Sequence, residues 1–143
     1  LLERTVEGEL IPMAQALGMG VTPWSPLKGG ILTGKYTREK IKQEEGRGAA
    51  WERKVDDRAF HVIDALRRVA EELGCSPAQA ALAWVQGRPG VTSTIIGART
   101  MPQLEANLAA LDVTLTPDQV RRLDEASAVP QTFPHEFLKN IPT

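Results

Sequence analysis

A short β-branched segment, 93–97, passes through a Gly-Ala-Arg turn into a helical segment that begins after Thr100. A strand joined to a helix by so short a turn is typical of α/β proteins. The junction brings backbone N–H groups, the positive end of a helix and the Arg99 guanidinium together, and all three favour phosphate. It therefore predicts an α/β fold with a phosphate site at the carboxyl end of a strand.

The other elements continue this pattern along the chain. Apolar residues at helical spacing predict helices over 5–17 and 56–73, and capping boxes at Ser76 and Thr116 begin two more. A mostly apolar run over 21–27 predicts a second strand. Alternating helices and strands favour a parallel sheet, but two strands make no stable sheet alone. We therefore expect further strands on the N-terminal side.

Charge and composition exclude several classes of function. The chain has 17 Lys and Arg against 18 Asp and Glu, a net charge of -1, and no basic stripe for nucleic acid. No apolar run approaches the roughly 20 residues that span a bilayer. The single cysteine, Cys75, excludes an internal disulfide and is expected to be a buried or incidental thiol. We expect a cytoplasmic protein with no nucleic-acid or membrane partner.

Two loops, 25–36 and 97–107, follow the two predicted strands. Adjacent parallel strands present such loops at the same end of a sheet or barrel, where phosphate sites are common. Ser25 offers a hydroxyl donor and acceptor, while Gly29 and Gly30 permit close approach of the backbone to a ligand. The two loops are therefore expected to form one site.

Three polar side chains in the second loop have two interpretations. In a binding site, Arg99 pairs with a phosphate, and Gln103 and Asn107, four residues apart on one helix face, bind the edge of a base. Alternatively, Arg99 is a surface arginine, Gln103 is the capping partner of Thr100, and Asn107 faces solvent. The residue types and spacing alone leave both open.

Three segments resemble the aldo-keto reductases. Residues 24–36 resemble the family's W/Y-S-P-L-x-x-G-x-L-T-G-K-Y, residues 95–108 resemble I-I-G-A-x-x-x-x-Q-L-x-E-N-L, and residues 1–4 resemble N-L-L-x-R. The segments occur in the family's order across about residues 1–127. The resemblance is closest to the subgroup that includes potassium-channel β subunits and bacterial NADPH-dependent reductases.

The resemblance implies a fold. The family folds as an eight-stranded (β/α)8 TIM barrel, in which 21–27 would be the seventh strand and 94–97 the eighth. Residues 1–143 would then be the C-terminal, cofactor-binding part of an incomplete α/β barrel, ending in an irregular tail over 130–143. The remainder of the barrel is expected before Leu1.

The resemblance also implies NADPH as cofactor, without a metal. Seven residues would lie along the nicotinamide–ribose and pyrophosphate: Trp24, Ser25, Pro26, Leu27, Lys28, Gly29 and Lys35. Four would hold the adenosine and its 2′-phosphate: Gly97, Arg99, Gln103 and Asn107. Trp24 is interpreted equally well as a barrel-wall side chain, and Lys28 as a solvated loop charge.

Two departures from the family pattern limit these expectations. Ala106 stands where the family has the Glu that bonds the adenine amino group, so weaker binding is expected. The family's catalytic Asp, Tyr, Lys and His have no match, because the only tyrosine, Tyr36, belongs to the cofactor motif. His61 is expected at a helix surface or in packing, and His135 lies in the tail.

These observations lead to an expected function. The chain would be the cofactor-binding part of an oxidoreductase that reduces aldehydes or ketones to alcohols by hydride transfer, and it would be inactive alone. The alternatives are a non-catalytic NADPH-binding regulatory or sensing module, or an inactive barrel fragment. The expected partners are a small-molecule carbonyl substrate and either an N-terminal barrel half or a second copy of the chain.

Overall fold

Helices dominate the structure, a computed structural model that describes residues 1–36 and 55–129. Within these ranges five α-helices follow one another: α1 (Leu10–Ala16), α2 (Asp57–Glu72), α3 (Pro77–Gln86), α4 (Met101–Leu108) and α5 (Pro117–Ala126). Three short 3₁₀ turns accompany them: Thr5–Glu7, Lys28–Thr33 and Ala109–Asp112. Residues 37–54 and the predicted irregular tail, over 130–143, lie outside the described residues.

Side-chain caps explain where two of the helices begin. The Ser76 hydroxyl accepts a hydrogen bond from the backbone N–H of Gln79, whose side-chain oxygen accepts from the N–H of Ser76 at 2.9 Å. Thr116 and Gln119 repeat this arrangement at the start of α5. Each box satisfies two N–H groups that lack an intrahelical partner. Both predicted capping boxes are therefore confirmed.

The first helix is shorter than the sequence predicts. The expected helix over 5–17 divides into the 3₁₀ turn and α1, which begins at Leu10. Pro12 then falls in the first turn of α1, where a missing N–H breaks no helical hydrogen bond. Gly18, with φ of 65°, takes the left-handed conformation that ends many helices.

The core is centred on α2, which packs against both α3 and α5. Leu66 is fully buried at 0% exposure, and Leu123 contributes the buried side chain of α5. Residues 80–85 of α3 are all buried, as its apolar sequence predicts. The predicted apolar stripe of α2 is confirmed, since its first four members are buried and the last is partly buried: Ala59, Ile63, Leu66, Ala70 and Leu73.

Charged side chains join the first residues to the ends of α3 and α5. Arg4 and Arg88 lie over the ring of Trp84, with guanidinium-to-centroid distances of 5.2 and 4.7 Å. Glu7 accepts hydrogen bonds from both arginines, and Asp124 accepts from Arg88 at 2.9 Å and from the Trp84 indole at 3.2 Å. Cation–π contacts and paired charges therefore hold three distant parts of the chain together.

The two strands predicted over 21–27 and 93–97 are not formed as regular strands. The described residues contain a single parallel bridge, between Val21 and Val91, and no longer ladder. The N–H of Thr92 donates to the carbonyl of Val21 at 2.8 Å. The prediction of two strands was therefore wrong for this part of the chain, although the two segments do lie side by side and parallel.

A shift in register explains why the bridge does not extend into a ladder. Two residues after the bridge, the carbonyl of Pro23 accepts from Ile95 at 2.9 Å, where a regular parallel ladder would use Thr94. The Thr94 N–H donates instead to the Gln86 side chain of α3 at 3.1 Å. Pro23 has no N–H of its own to donate. The pairing therefore slips by one residue, as at a β-bulge.

Candidate functional site

A groove of about 900 Å³ lies between the two loops that the sequence predicts to share a site. This volume is within the range of small-molecule pockets. The groove is lined by ten of the eleven residues assigned by the family resemblance, all except Lys28: Trp24, Ser25, Pro26, Leu27, Gly29, Lys35, Gly97, Arg99, Gln103 and Asn107. Two segments that are far apart in the sequence are thus brought together, while the binding roles of their residues stay predictions.

The first wall of the groove is a tightly wound loop. Ser25 and Lys28 have φ of 54° and 49°, a left-handed conformation that side chains disfavour. Gly29 and Gly30 follow with φ of 65° and 97°, which glycine adopts readily. The Thr33 hydroxyl donates to the Gly30 carbonyl at 2.7 Å. Strained backbone of this kind concentrates at ligand sites.

This wall also presents an aromatic ring and a cation. Trp24 is 80% exposed, so its ring is available for stacking. Lys35 is exposed, and its ammonium lies 4.5 Å from the centroid of the Tyr36 ring. Tyr36 is only 2% exposed, because its ring belongs to the core. The positive charge of Lys35 at the groove therefore lies next to the buried ring of Tyr36.

The second wall is the turn into α4. The Thr100 hydroxyl accepts from the Gln103 N–H at 3.4 Å, so the predicted cap of this helix is confirmed. The Gln103 side-chain oxygen accepts from the N–H of Arg99 at 2.9 Å and not from that of Thr100. Asn107, one turn further along, is half-buried and lines the same groove. A Cβ at Gly97 would meet nothing within 4 Å, so a ligand can approach its backbone closely.

Several lining residues were not singled out from the sequence. Thr33, Ile95, Ile96 and Ala98 line the groove beside the predicted residues, as do Gly30 and Tyr36 of the first motif. Ile95 is 53% exposed, so its side chain is accessible from the groove. These residues could have been found from the sequence, because they lie between the predicted site residues within the same two motifs and line the same groove.

Residues outside the groove give little further chemistry. Burial raises the pKa of the Cys75 thiol, which favours the unreactive thiol form, as expected for an incidental cysteine. His61 is exposed on α2, and His135 lies outside the described residues. Within residues 1–36 and 55–129, no group of three or more His, Cys, Asp or Glu is placed to hold a metal. No helix in these ranges is both long and apolar enough to cross a membrane.

The groove combines features suited to one class of ligand. The second wall contributes an arginine and the N-terminus of an eight-residue helix, and the first wall contributes a lysine and an exposed indole. Cations and free helical N–H groups favour phosphates, and an indole face favours a flat ring. The arrangement is therefore chemically suited to a phosphorylated molecule that carries aromatic rings.

Comparison with known proteins identifies the family. The sequence model of the Aldo/keto reductase family matches residues 1–128, and the chain belongs to this family. The resemblance seen in the two motifs and the first four residues is thereby confirmed.

Individual relatives fall into several kinds. A probable voltage-gated potassium channel subunit beta from Oryza sativa subsp. japonica is 40% identical over 137 residues, covering 90% of this chain and 40% of the relative. An uncharacterized oxidoreductase, YrpG, from Bacillus subtilis is 38% identical over 125 residues, covering 87% and 37%. A probable aryl-alcohol dehydrogenase from Saccharomyces cerevisiae is 32% identical over 145 residues, covering 99% and 44%. The chain thus spans about two fifths of the length of these relatives.

Proposed function

We propose that this chain is the cofactor-binding part of an NADPH-dependent oxidoreductase that reduces aldehydes and ketones to alcohols. The observation that carries the proposal is the groove, in which ten residues from two separate motifs line a single space. Family membership and the relatives named as oxidoreductase and aryl-alcohol dehydrogenase support the reaction class.

The residues of both walls of the groove fit a dinucleotide phosphate. The 2′-phosphate would lie beside Arg99, since a guanidinium binds phosphate oxygens in a bidentate manner. The Gln103 side-chain oxygen already accepts a hydrogen bond from the Arg99 N–H, so the side-chain NH2 group would be the donor to the ligand. Asn107 would bind the base edge, and the absence of a carboxylate at Ala106 leaves Asn107 a larger share of that contact. This arrangement favours NADPH over NADH.

The first wall of the groove would hold the pyrophosphate and the nicotinamide. The Lys35 ammonium would offset pyrophosphate charge, and the backbone at Gly29 permits close approach. The Ser25 hydroxyl would donate to a ribose or phosphate oxygen, and the Trp24 ring would cover one face of the nicotinamide. When bound, the dinucleotide supplies the hydride that reduces the carbonyl carbon.

This chain would orient the cofactor, and the proton would come from elsewhere. Tyr36, its only tyrosine, is buried at 2% exposure with its ring in the core. The proposal therefore includes a second part of the barrel as partner, which would supply the general acid and bind the small carbonyl substrate. In that barrel, the segments at 21–27 and 94–97 would become the seventh and eighth strands of a complete sheet.

A second candidate function is a non-catalytic NADPH-binding module that regulates another protein. The similarity to a relative named as a probable potassium channel subunit beta favours it. Both candidates require the same cofactor groove. They differ in whether the assembled protein oxidises NADPH when an aldehyde is added.

Titration of the 143-residue chain with NADPH, followed by nicotinamide fluorescence, tests the proposal. We expect saturable binding that is weaker for NADH, and no NADPH oxidation when an aromatic aldehyde is added. The Trp24→Phe variant should retain binding but lose part of the energy transfer from tryptophan to the nicotinamide. Absence of saturable binding would refute the cofactor assignment. Turnover by this chain alone would refute the proposal that the general acid comes from a second part of the barrel.

A further inference from the structure

Arg67 lies outside the groove, yet it contacts the backbone that presents Lys35. From α2, one guanidinium nitrogen, Nη2, donates to the carbonyl of Gly34 at 2.6 Å and to that of Tyr36 at 3.0 Å. The two accepting carbonyls belong to the residues on either side of Lys35. A single side chain therefore bridges the backbone around this lysine.

The geometry of Gly34 adds to this restraint. Its φ of 81° is left-handed, and a Cβ at this position would lie 2.8 Å from the Pro77 side chain at the start of α3. Only glycine fits this close approach without displacement of its neighbour. The segment 34–36 therefore packs closely against the start of α3, and it is hydrogen-bonded to Arg67 of α2.

The residue on the other side is equally restrained. Tyr36 is buried in the core at 2% exposure, whereas Lys35 is exposed and lines the groove. The Lys35 ammonium lies over the ring of Tyr36 at 4.5 Å from its centroid. Gly34 and Tyr36, on either side of Lys35, are both restrained, and Arg67 contacts the backbone of each. The position from which the Lys35 side chain leaves the backbone therefore depends on the segment that Arg67 holds.

We propose that Arg67 is a positioning residue, which acts through the carbonyls of Gly34 and Tyr36 to hold Lys35 at the groove. This proposal deepens the proposed function and rests on it, since the Lys35 charge serves the pyrophosphate end of a bound dinucleotide. Hydrogen bonds from a charged donor are stronger than neutral ones, and the half-buried position of Arg67 limits competition from water. Arg67 itself does not line the groove.

Hydrogen exchange followed by mass spectrometry tests this proposal without any ligand. In the Arg67→Met variant, amides of 34–36 should exchange about tenfold faster, because two hydrogen bonds that order the segment are lost. The matched control is Arg68→Met, which removes an exposed arginine from the next position of α2 and should leave exchange unchanged. Unchanged exchange in Arg67→Met, or faster exchange spread across α2 and α3, would overturn the proposal.

Ligand affinity gives a second readout that a merely structural role would not produce. NADPH should bind Arg67→Met about three- to tenfold more weakly, with partial recovery in Arg67→Lys, which keeps a charged donor. In a Lys35→Met background, Arg67→Met should cause little further loss, because both changes act on one interaction. Additive losses would contradict the proposal. If the unaltered chain binds no NADPH, the proposed function fails, and the exchange experiment still decides the role of Arg67.

Discussion

Replacement of Arg99 by methionine should weaken the binding of NADPH but leave the binding of NADH nearly unchanged. Methionine keeps much of the side-chain length but removes the positive charge. The hydrogen bond from the Arg99 N–H to Gln103 uses the backbone, and the Thr100 cap uses a hydroxyl, so neither is removed. The substitution therefore tests the guanidinium alone and leaves the turn into α4 in place.

The expected magnitude follows from the position of Arg99. Hydrogen bonds to charged groups contribute about 1.5–3 kcal/mol when sheltered, and exposed ion pairs contribute less than about 1 kcal/mol. Arg99 is exposed but in the proposed complex would face a phosphate that carries more than one charge, so about 1–2 kcal/mol is appropriate. This corresponds to NADPH binding that is about 5- to 30-fold weaker. NADH lacks the 2′-phosphate, and its affinity should change by less than about twofold.

Fluorescence titrations with both dinucleotides, at low and moderate ionic strength, provide the assay. The loss for NADPH should shrink as salt increases, because screening weakens the interaction that the substitution removes. Arg68→Met, on α2 and outside the groove, serves as the matched control. Equal losses for NADPH and NADH would show that Arg99 acts on the fold of the turn, and the 2′-phosphate assignment would be wrong.

Two further predictions concern stability. Leu66→Ala removes a fully buried side chain from the core and should lower the free energy of unfolding by about 2–5 kcal/mol, measured by urea denaturation; a loss below about 1 kcal/mol would contradict the packing described. Hydrogen bonds from Arg122 and Gln119 lower the pKa of Glu72 from 4.5 to about 2. Its stabilising effect is therefore present above pH 4.5 and lost as pH falls towards 2, so Glu72→Gln should reduce the fall in Tm across that range. If Tm decreased as much in the variant as in the unaltered chain, other carboxylates would be responsible for the acid sensitivity.

The helices could be predicted from the sequence because their signals are local. Ser76 and Gln79 stand three residues apart, and their reciprocal hydrogen bonds depend on that spacing alone. The apolar stripe of α2 likewise specifies which face is buried before any partner is known. The groove was predicted by a different route, from the expected order of parallel strands together with motif resemblance, and the structure brings its two loops together.

The strands could not be predicted in the same way, because strand pairing depends on distant residues. The run over 21–27 has a strand-like composition, yet Pro23 cannot donate to a ladder. Gln86, on a separate helix, takes the N–H of Thr94 that a regular ladder would use. The position of Arg67 behind the groove has no sequence signal either, since its acceptors are backbone carbonyls more than 30 residues away.

Mapping of amide chemical shifts in the ¹⁵N-labelled chain tests the cofactor groove most directly. Adenosine 2′,5′-bisphosphate should shift amides of 97–107 alone, and NADPH should shift the same amides together with those of 24–36. This pattern would place the adenosine end at the turn into α4 and the nicotinamide end beside Trp24. Shifts confined to surfaces outside these two segments, or their absence at saturating NADPH, would contradict a cofactor role for the groove.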